Sequence, residues 1–340
     1  MEIQNDYRDL LDLMARPGFC VQNDRIVRAN AAARALLFTE GLEIPPMLET
    51  GKEEYAALTD GCLCLNLRHR DRICSAMITR VGDQLVFLPE ESTESLRSMA
   101  LAAQELREPL SNVMIAAQRL LPELTGSQSE QGARLNRGLH RLLRIVGNMS
   151  GISCSRMETR NLPALIEEVF RRAELLVSGV HLTYEGPAEE IYGLADGDLL
   201  ERAIFNILSN AVKFTQPGGT IDARLVRCGR MLRLTVTDSG SGIREIRSIF
   251  SRYLRQPAIE DSRQGIGLGL VMIQAAARNH GGAVLIDRPG AGTRVTLTLA
   301  IRQDSENRLR SPRMRVDYAG EQDHGLIELA DCLPPELYRV

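Results

Sequence analysis

Tryptophan is absent from this 340-residue sequence, and aromatic residues make up only 4% of it. Proteins that bind single-stranded nucleic acid without sequence preference stack the bases on aromatic side chains. The formal net charge is −3, so there is also no excess of positive charge to attract a phosphate backbone. These two features argue against a general role in nucleic-acid binding.

Long hydrophobic runs are also missing. No stretch approaches the roughly 20 apolar residues that a membrane-spanning helix needs, and the N-terminal residues 1–6 are acidic rather than signal-like. We therefore expect a cytoplasmic protein without a membrane span, which senses a cytoplasmic signal. At 340 residues the chain exceeds one typical domain and should contain two or three.

The seven cysteines are scattered along the chain and do not form a metal-binding motif. Cys62, Cys64 and Cys74 lie close together, but a Cys-x-Cys without a second pair is poor spacing for zinc. Reduced structural thiols are the expected state in a cytoplasmic protein. A metal site or a redox sensor is the alternative.

Residues 198–301 contain three short polar or glycine-rich motifs. The first lies on an amphipathic helix, since apolar residues recur at helical spacing from Leu199 to Val212. Asn206 and Asn210 are one turn apart and share one face of this helix. They are either surface polar groups or oxygen ligands for Mg²⁺, which binds phosphates as well.

The second motif follows a strand that the alternating residues 231–237 predict. Asp238 ends this strand, and Gly240, Gly242 and Ile243 follow it. One interpretation is an ordinary Asp-Ser-Gly turn. The other is a carboxylate that accepts a hydrogen bond from the exocyclic amine of a base, with glycines that let the ligand approach the backbone.

The third motif, residues 265–270, is glycine-rich and leads into a helix. Backbone N–H groups at the start of a helix favour phosphate. Two common nucleotide motifs do not fit, because Leu270 stands where the dinucleotide-binding fingerprint needs glycine and the Gly-Lys-Ser/Thr of a Walker loop is absent.

In this order and spacing the motifs resemble those of the ATP-binding domain of sensor histidine kinases, an α/β sandwich that is shared with gyrase-type ATPases. The resemblance covers about residues 160–301. Asn206, Asn210 and Lys213 resemble the N box, residues 238–243 the G1 box and residues 265–270 the G2 box. Ile249, Phe250 and Tyr253 resemble the family's F box, which lies on the lid between the two glycine motifs. His280-Gly281-Gly282 and Gly290-Ala-Gly292-Thr293 are similar to the end of the family's domain.

This resemblance implies ATP and Mg²⁺ as cofactors. Asn210 would hold Mg²⁺, and Lys213 and Asn206 would contact the phosphates. Asp238 would accept a hydrogen bond from adenine. The residues expected to bind the nucleotide are Asn206, Asn210, Lys213, Phe214, Asp238, Gly240, Gly242, Ile243, Gly265, Gly267, Leu268 and Gly269.

Residues 1–90 are predicted to form a small α+β domain. Residues 19–22 and 25–28 suggest a β-hairpin, Asn30 should cap a helix, and residues 61–67, 73–81 and 84–88 should be strands. This order resembles a PAS sensor domain. We expect an input or dimerisation role without a cofactor.

Residues 91–155 change to a heptad pattern. Apolar residues step by three and four from Leu96 to Leu120 and again from Leu135 to Met149. The two helices predict an antiparallel hairpin, and pairing two hairpins into a four-helix bundle would bury both seams. We therefore expect a homodimer; the alternative is a hairpin that packs on its own chain.

The hairpin departs from the kinase pattern at two positions, Gln104 and Glu108. Sensor kinases carry a phosphate-accepting His followed by Glu, Leu, Arg, then Thr or Asn, and Pro, whereas this chain reads Gln104-Glu105-Leu106-Arg107-Glu108-Pro109. The lone pair of an amide nitrogen is delocalised, so Gln104 cannot act as the nucleophile. Glu105, which by resemblance would hydrogen-bond the His ring, is retained. His140 is either a displaced acceptor or a solvated surface residue.

The expected fold is α+β, with a PAS-like domain (1–90), a helical dimerisation hairpin (91–155), an ATP-binding domain (160–302) and a charged linker with a tail (303–340). The apolar residues 325–338 of the tail either dock on the protein or stay disordered. One hypothesis is a kinase with Glu105 and Lys213 as its catalytic residues. Such a protein would transfer, or would formerly have transferred, the γ-phosphoryl group of ATP to a His on a partner. The alternative is a non-catalytic ATP-binding scaffold. The expected partners are a response regulator or a partner histidine kinase.

Overall fold

A computed structural model describes residues 11, 17–81, 84–89, 93–150, 156–242, 268–303 and 323–339. Its N-terminal part is an antiparallel sheet with two short helices, in which the strands lie in the order β2-β1-β5-β4-β3. The predicted hairpin and the three later strands are confirmed. The elements are β1 (Phe19–Gln22), β2 (Arg25–Ala29), α1 (Ala31–Ala35), α2 (Lys52–Ala57), β3 (Gly61–His69), β4 (Arg72–Val81) and β5 (Gln84–Pro89).

Local sequence explains the first turn and the first helix. Asn23 and Asp24 both have positive φ angles, 51° and 60°, a conformation that Asn and Asp tolerate in tight hairpin turns. Asn30 caps α1, as predicted, because its side chain accepts a hydrogen bond of 2.9 Å from the backbone N–H of Ala33.

The middle of the chain is the predicted helical hairpin, made of α3 (Thr93–Leu120) and α4 (Ser127–Ser150). Pro109 lies inside α3. The two helices bury Met114, Ala117, Leu139 and Leu143 against each other. The other half of the predicted seam faces outward, and its exposed residues are Leu106, Val113, Leu120, Leu135 and Leu142.

The third part is an α/β sandwich. Helices α5, α6 and α7 pack against the sheet β11-β12-β10-β9-β7 in one hydrophobic core, and β6 and β8 form a small separate sheet. The elements are β6 (Glu158–Asn161), α5 (Leu162–Leu176), β7 (His181–Glu185), β8 (Tyr192–Ala195), α6 (Gly197–Phe214), β9 (Thr220–Cys228), β10 (Met231–Asp238), α7 (Leu268–Asn279), β11 (Val284–Asp287) and β12 (Thr293–Ala300).

One sheet connects the N-terminal part with the sandwich. β3 pairs antiparallel with β11, so that Cys62 lies opposite Ile286 and Cys64 opposite Val284. The ten strands are therefore continuous in the order β2-β1-β5-β4-β3-β11-β12-β10-β9-β7. Both cysteines are buried in the core of the sandwich. Sequence periodicity did not predict this pairing, because a strand edge gives no sign of which other edge it will meet.

The C-terminal residues 323–339 dock on the protein, so the first of the two alternatives for the tail is correct. They contain α8 (His324–Glu328) and a 3₁₀ turn (Pro335–Tyr338). Leu329, Leu333 and Tyr338 join the core of the sandwich. Among the helices that the structure describes, none has the length and apolarity of a membrane span.

Candidate nucleotide-binding site

Helix α6 carries the first motif and is firmly anchored at its start. Asp196 caps the helix by accepting a hydrogen bond of 3.0 Å from the N–H of Leu199. The backbone N–H of Asp196 in turn donates to His280 Nε2 at 3.0 Å. Burial lowers the pKa of His280, which keeps the ring neutral and able to accept this hydrogen bond. The His-Gly-Gly sequence at the end of α7 therefore positions the start of α6.

Asn206 and Asn210 lie on α6 in different environments. Asn210 is exposed, as are Lys213 and Phe214 in the last turn of the helix. Asn206 is only 1% exposed. Its Oδ1 accepts a hydrogen bond of 2.8 Å from Arg144 on α4, and its Nδ2 donates to the backbone oxygen of Arg202 at 2.8 Å. Of the two amides, Asn210 is the one that can reach a ligand in solution.

Asp238 ends β10 with a buried side chain, 7% exposed. Its Oδ1 accepts hydrogen bonds from the backbone N–H groups of Gly240 at 2.9 Å and Thr293 at 3.2 Å. Desolvation by burial raises the pKa of this carboxyl, while the bonds from Gly240 and Thr293 act in the opposite direction. Two backbone N–H donors therefore fix the Asp238 carboxylate at the end of the strand, where it can accept a hydrogen bond from a further donor.

The glycine of the second motif lies directly against the end of α6. A side chain at Gly240 would place its Cβ in steric clash with the backbone oxygen of Phe214. The N–H of Ser241 donates to the same oxygen at 3.3 Å. Gly242 has a φ of 66° and lies close to the backbone of Gly292. The fold thus brings the first and second motifs together.

The third motif meets the first at Gly269, in the first turn of α7. A Cβ at this glycine would lie 2.9 Å from Oδ1 of Asn206. Leu268 begins the helix. The other residues of the glycine motifs and the lid lie outside the described residues, namely Ile243, Gly265, Gly267, Ile249, Phe250 and Tyr253.

The described groups fit a Mg²⁺–nucleotide complex. Asn210 offers an exposed amide oxygen, and Mg²⁺ needs only one or two protein ligands when phosphates and water supply the others. Lys213 adds a cation; its Nζ lies 5.5 Å from the ring centroid of Phe214. Gly240, just after β10, adds no side chain at this point and lies directly against the backbone of Phe214.

Two residues that hold side chains of this site were not among the predicted nucleotide-binding residues. Thr293 holds Asp238 through its backbone N–H, and its position after Gly292 at the start of the last strand was the available signal. Arg144 holds Asn206 from another part of the chain. Nothing in the sequence marks Arg144, because it is one of many arginines on an amphipathic helix.

The hairpin contains four residues that the sequence analysis singled out, and one of them requires a correction. Gln104, Glu105 and Glu108 are exposed on α3. His140 is not a solvated surface residue, because it is only 2% exposed. Its Nδ1 donates to the backbone oxygen of Asn136 at 2.8 Å, and the ring of Tyr338 covers it edge-on at 5.0 Å between centroids. The docked tail, which the sequence could not place, removes this histidine from solvent.

Comparison with known proteins places this site in a defined family. Residues 195–303 match the model of the histidine kinase-, DNA gyrase B- and HSP90-like ATPases. This range runs from the cap of α6 to the end of the last strand and therefore contains all three motifs.

Similar proteins include several histidine kinases. The sensor protein KdpD of Clostridium acetobutylicum is 27% identical over 60% of the chain, and the histidine protein kinase DivJ of Caulobacter vibrioides is 29% identical over 60%. The chain spans only 24% and 37% of the lengths of these two proteins. Among solved structures, full-length ShkA in complex with AMPPNP matches 62% of the chain and 47% of its own, at 23% identity and a TM-score of 0.47.

Proposed function

Because the chain belongs to the histidine kinase family, we propose that it binds Mg-ATP and acts in a two-component signalling system. In this proposal it transfers the γ-phosphoryl group to a histidine of a partner kinase, in trans. The observation that carries the proposal is the convergence of the motifs: the buried carboxylate of Asp238, the glycine at 240 and the exposed end of α6 meet at one place.

Each group has a distinct task in this proposal. Asp238 accepts a hydrogen bond from the amino group of adenine. Asn210 supplies an oxygen ligand to Mg²⁺, and Lys213 neutralises negative charge on the phosphates. Mg²⁺, when bound, would reduce the charge on the phosphates, and ATP would supply the group that is transferred. The protein's part is to position these groups and to stabilise charge, since phosphoryl transfer depends mainly on both.

Transfer in trans follows from Gln104. A phosphoryl group moves to a ring nitrogen that carries a lone pair, and an amide offers none. His140, the other candidate on the hairpin, is 2% exposed beneath Tyr338 and is not presented to a nucleotide. The accepting histidine therefore belongs to another chain, and a response regulator would receive the phosphoryl group from it.

A second candidate function is a non-catalytic ATP-binding scaffold that regulates a partner by its conformation. The observation that favours it is the engagement of Asn206, whose Oδ1 accepts from Arg144 and whose Nδ2 donates to the backbone of Arg202. A protein that lacks the acceptor His at position 104 and whose Asn206 amide is already hydrogen-bonded can still bind ATP and regulate a partner by its conformation.

The quaternary arrangement belongs to the same proposal. Leu106, Val113 and Leu120 are 49%, 51% and 62% exposed at a spacing of seven residues on α3. Leu135 and Leu142 continue this apolar stripe on α4. A second copy of the hairpin would cover it in a four-helix bundle. The PAS-like region would provide the input, and the protein would act in the cytoplasm.

Transfer of label from γ-labelled ATP tests the two candidates. The chain is mixed with a partner kinase whose own ATP site is inactivated, and phosphate is sought on the partner's histidine. Label on the partner supports the kinase. ATP binding without label on any candidate partner supports the scaffold. The variant Asp238→Ala, in which ATP binding should be weakened, serves as the control and should transfer less label.

A further inference from the structure

The residues 323–339, which we call the C-terminal clasp, contact the helical hairpin and the ATP-binding domain at once. Ile327 packs in the core of the hairpin together with Met114 and Leu143. By contrast, Leu329 and Leu333 belong to the core of the ATP-binding domain. One short segment thus fills the space between α4 and α6.

Polar contacts attach the clasp to the hairpin side. Arg137 on α4 donates from Nε to the backbone oxygen of Ala330 at 3.0 Å and from Nη2 to that of Asp331 at 3.2 Å. Arg141, one turn further along, pairs with Oδ1 of Asp331 at 2.6 Å. Both arginines lie on the hairpin, so these contacts join the clasp to the hairpin without involving the ATP-binding domain.

A buried carboxylate joins the two sides. Glu328 is 0% exposed. Its Oε2 lies 3.8 Å from Nε of Arg144 on α4, and its Oε1 lies 3.4 Å from Nη1 of Arg202 on α6. A buried carboxylate is costly unless cations compensate it. Since the two cations come from different parts of the molecule, removing either side leaves Glu328 with an incomplete set of partners.

The clasp reaches the N box through Arg144. This guanidinium donates to Oδ2 of Asp331 at 2.7 Å and to Ser209 at 3.1 Å, both from Nη1, and to Oδ1 of Asn206 at 2.8 Å from Nη2. A guanidinium has a rigid planar fork of donors, so the acids of the clasp fix the orientation in which Arg144 meets Asn206.

We propose that the C-terminal clasp is an autoinhibitory contact that holds α4 on α6 and thereby keeps Asn206 away from nucleotide. Release of the clasp frees Arg144 from Glu328 and Asp331 and returns the Asn206 amide to the phosphate site. The inference rests on the proposed function, since it requires ATP binding at this site, and on the phosphate contact of Asn206 that the family resemblance implies. Apparent affinity falls by the fraction of molecules that are competent to bind, so a clasp that leaves about a tenth of them competent weakens ATP about tenfold.

The test weakens the clasp without touching the ATP-binding domain. In the full-length chain, Arg137→Ala with Arg141→Ala removes the hairpin contacts to residues 330 and 331. Arg171→Ala is the matched control, since Arg171 pairs with Glu168 on an exposed face of α5. Amide hydrogen exchange in residues 323–339 reports on the clasp, and calorimetry with Mg-ATP reports on the site.

The double variant should exchange faster in residues 323–339 and bind Mg-ATP about tenfold more tightly, while the control matches the original protein in both. Faster exchange with unchanged or weaker ATP binding overturns the proposal, because the clasp is then only a structural support. Unchanged exchange, both in this variant and in Asp331→Ala, also overturns it. If neither the original protein nor the variant binds Mg-ATP, the proposed function itself fails, which is a different result from equal binding by both.

Discussion

The carboxylate of Asp238 and the backbone of Gly240 are joined by a hydrogen bond of 2.9 Å at the end of β10. The same glycine is pressed against the backbone oxygen of Phe214, the last residue of the N-box helix. The base-binding end of the proposed site and the phosphate-binding end are therefore held together by one turn, and changes at either residue should act on nucleotide binding.

Replacing Asp238 by alanine should weaken nucleotide binding. The change removes the acceptor for the adenine amino group, and an unpaired buried polar group costs about 1–3 kcal/mol. Calorimetry with Mg-ATP measures the effect. Asp222→Ala, at a surface acid on β9 that accepts from Thr183, is the control and should bind ATP normally. Equal affinities of the two variants would refute the role of Asp238.

A bulkier residue at Gly240 should disrupt the junction between the motifs. In Gly240→Ala the new Cβ would clash with the backbone oxygen of Phe214, so the turn or the end of α6 must shift. We expect weaker ATP binding with little loss of secondary structure, measured by calorimetry and circular dichroism. Gly218→Ala is a control for glycine replacement, since open space surrounds Gly218, although its φ of 81° adds some strain of its own. Undiminished ATP binding by Gly240→Ala would show that the turn does not shape the site.

A charge in the exposed stripe of the hairpin should abolish dimerisation. Leu106→Glu places a carboxylate in the apolar surface that a second copy would bury, and burial of an unpaired charge is strongly unfavourable. Sedimentation velocity should show monomers for this variant and dimers for the original chain. Leu175→Glu, at a leucine that is 75% exposed on α5, should remain dimeric. A monomeric original chain would remove the basis for the bundle.

Restoring the acceptor should restore some self-phosphorylation. Gln104→His supplies a ring nitrogen at an exposed position of α3, next to Glu105. Positioning alone can contribute roughly 7–11 kcal/mol to a reaction barrier, so an intact scaffold should use it. Glu108 lies one turn away, and its charge repels the triphosphate, so Gln104→His with Glu108→Thr should be labelled more strongly. Acid-labile phosphate is the readout, and the original chain should carry none at residue 104. If neither variant is labelled although ATP binds, the scaffold function becomes the better account.

The stability of the clasp should fall as the pH rises above about 6.5, the ordinary pKa of histidine. Burial lowers the pKa of His324, but the hydrogen bond to Glu201 and the charges of Glu328 and Glu201 outweigh this effect and that of Arg202, so the net pKa is raised. The folded state then binds the proton more tightly than the unfolded state. Its contribution is complete below about pH 6.5 and is lost as the pH passes the raised value.

Hydrogen exchange in residues 323–339, corrected for the intrinsic effect of pH, measures this dependence between pH 6 and 8. Protection should decrease with rising pH in the original chain and change less in His324→Gln. Equal pH dependence in the two proteins would show that His324 does not stabilise the clasp through its charge.

Much of the fold could be predicted because it depends on local patterns. The alternation of residues 231–237 and the apolar face of residues 199–212 determine a strand and a helix that the structure contains as β10 and α6. Gly240 and Gly269 pack closely against the protein itself, Gly240 against the backbone oxygen of Phe214 and Gly269 against Oδ1 of Asn206. The prediction that glycines let a ligand approach the backbone stays a prediction.

The features that the sequence did not predict depend on contacts between segments that are distant along the chain. Three features are of this kind: the pairing of β3 with β11, the docking of the clasp, and the burial of His140 under Tyr338. Each involves residues that are more than 190 positions apart in the sequence. Periodicity describes one element at a time and does not identify its partner. The burial of Asn206 beside an exposed Asn210 has the same origin, since the covering groups come from α4 and α7.

Calorimetric titration of the full-length chain with ATP, in the presence and absence of Mg²⁺, tests the central claim most directly. We predict binding of one nucleotide per chain that strengthens when Mg²⁺ is added, and loss of this magnesium effect in Asn210→Ala, because Asn210 is the exposed oxygen ligand on α6. The absence of any heat of binding with Mg-ATP, in a protein that is folded by circular dichroism, would contradict the account.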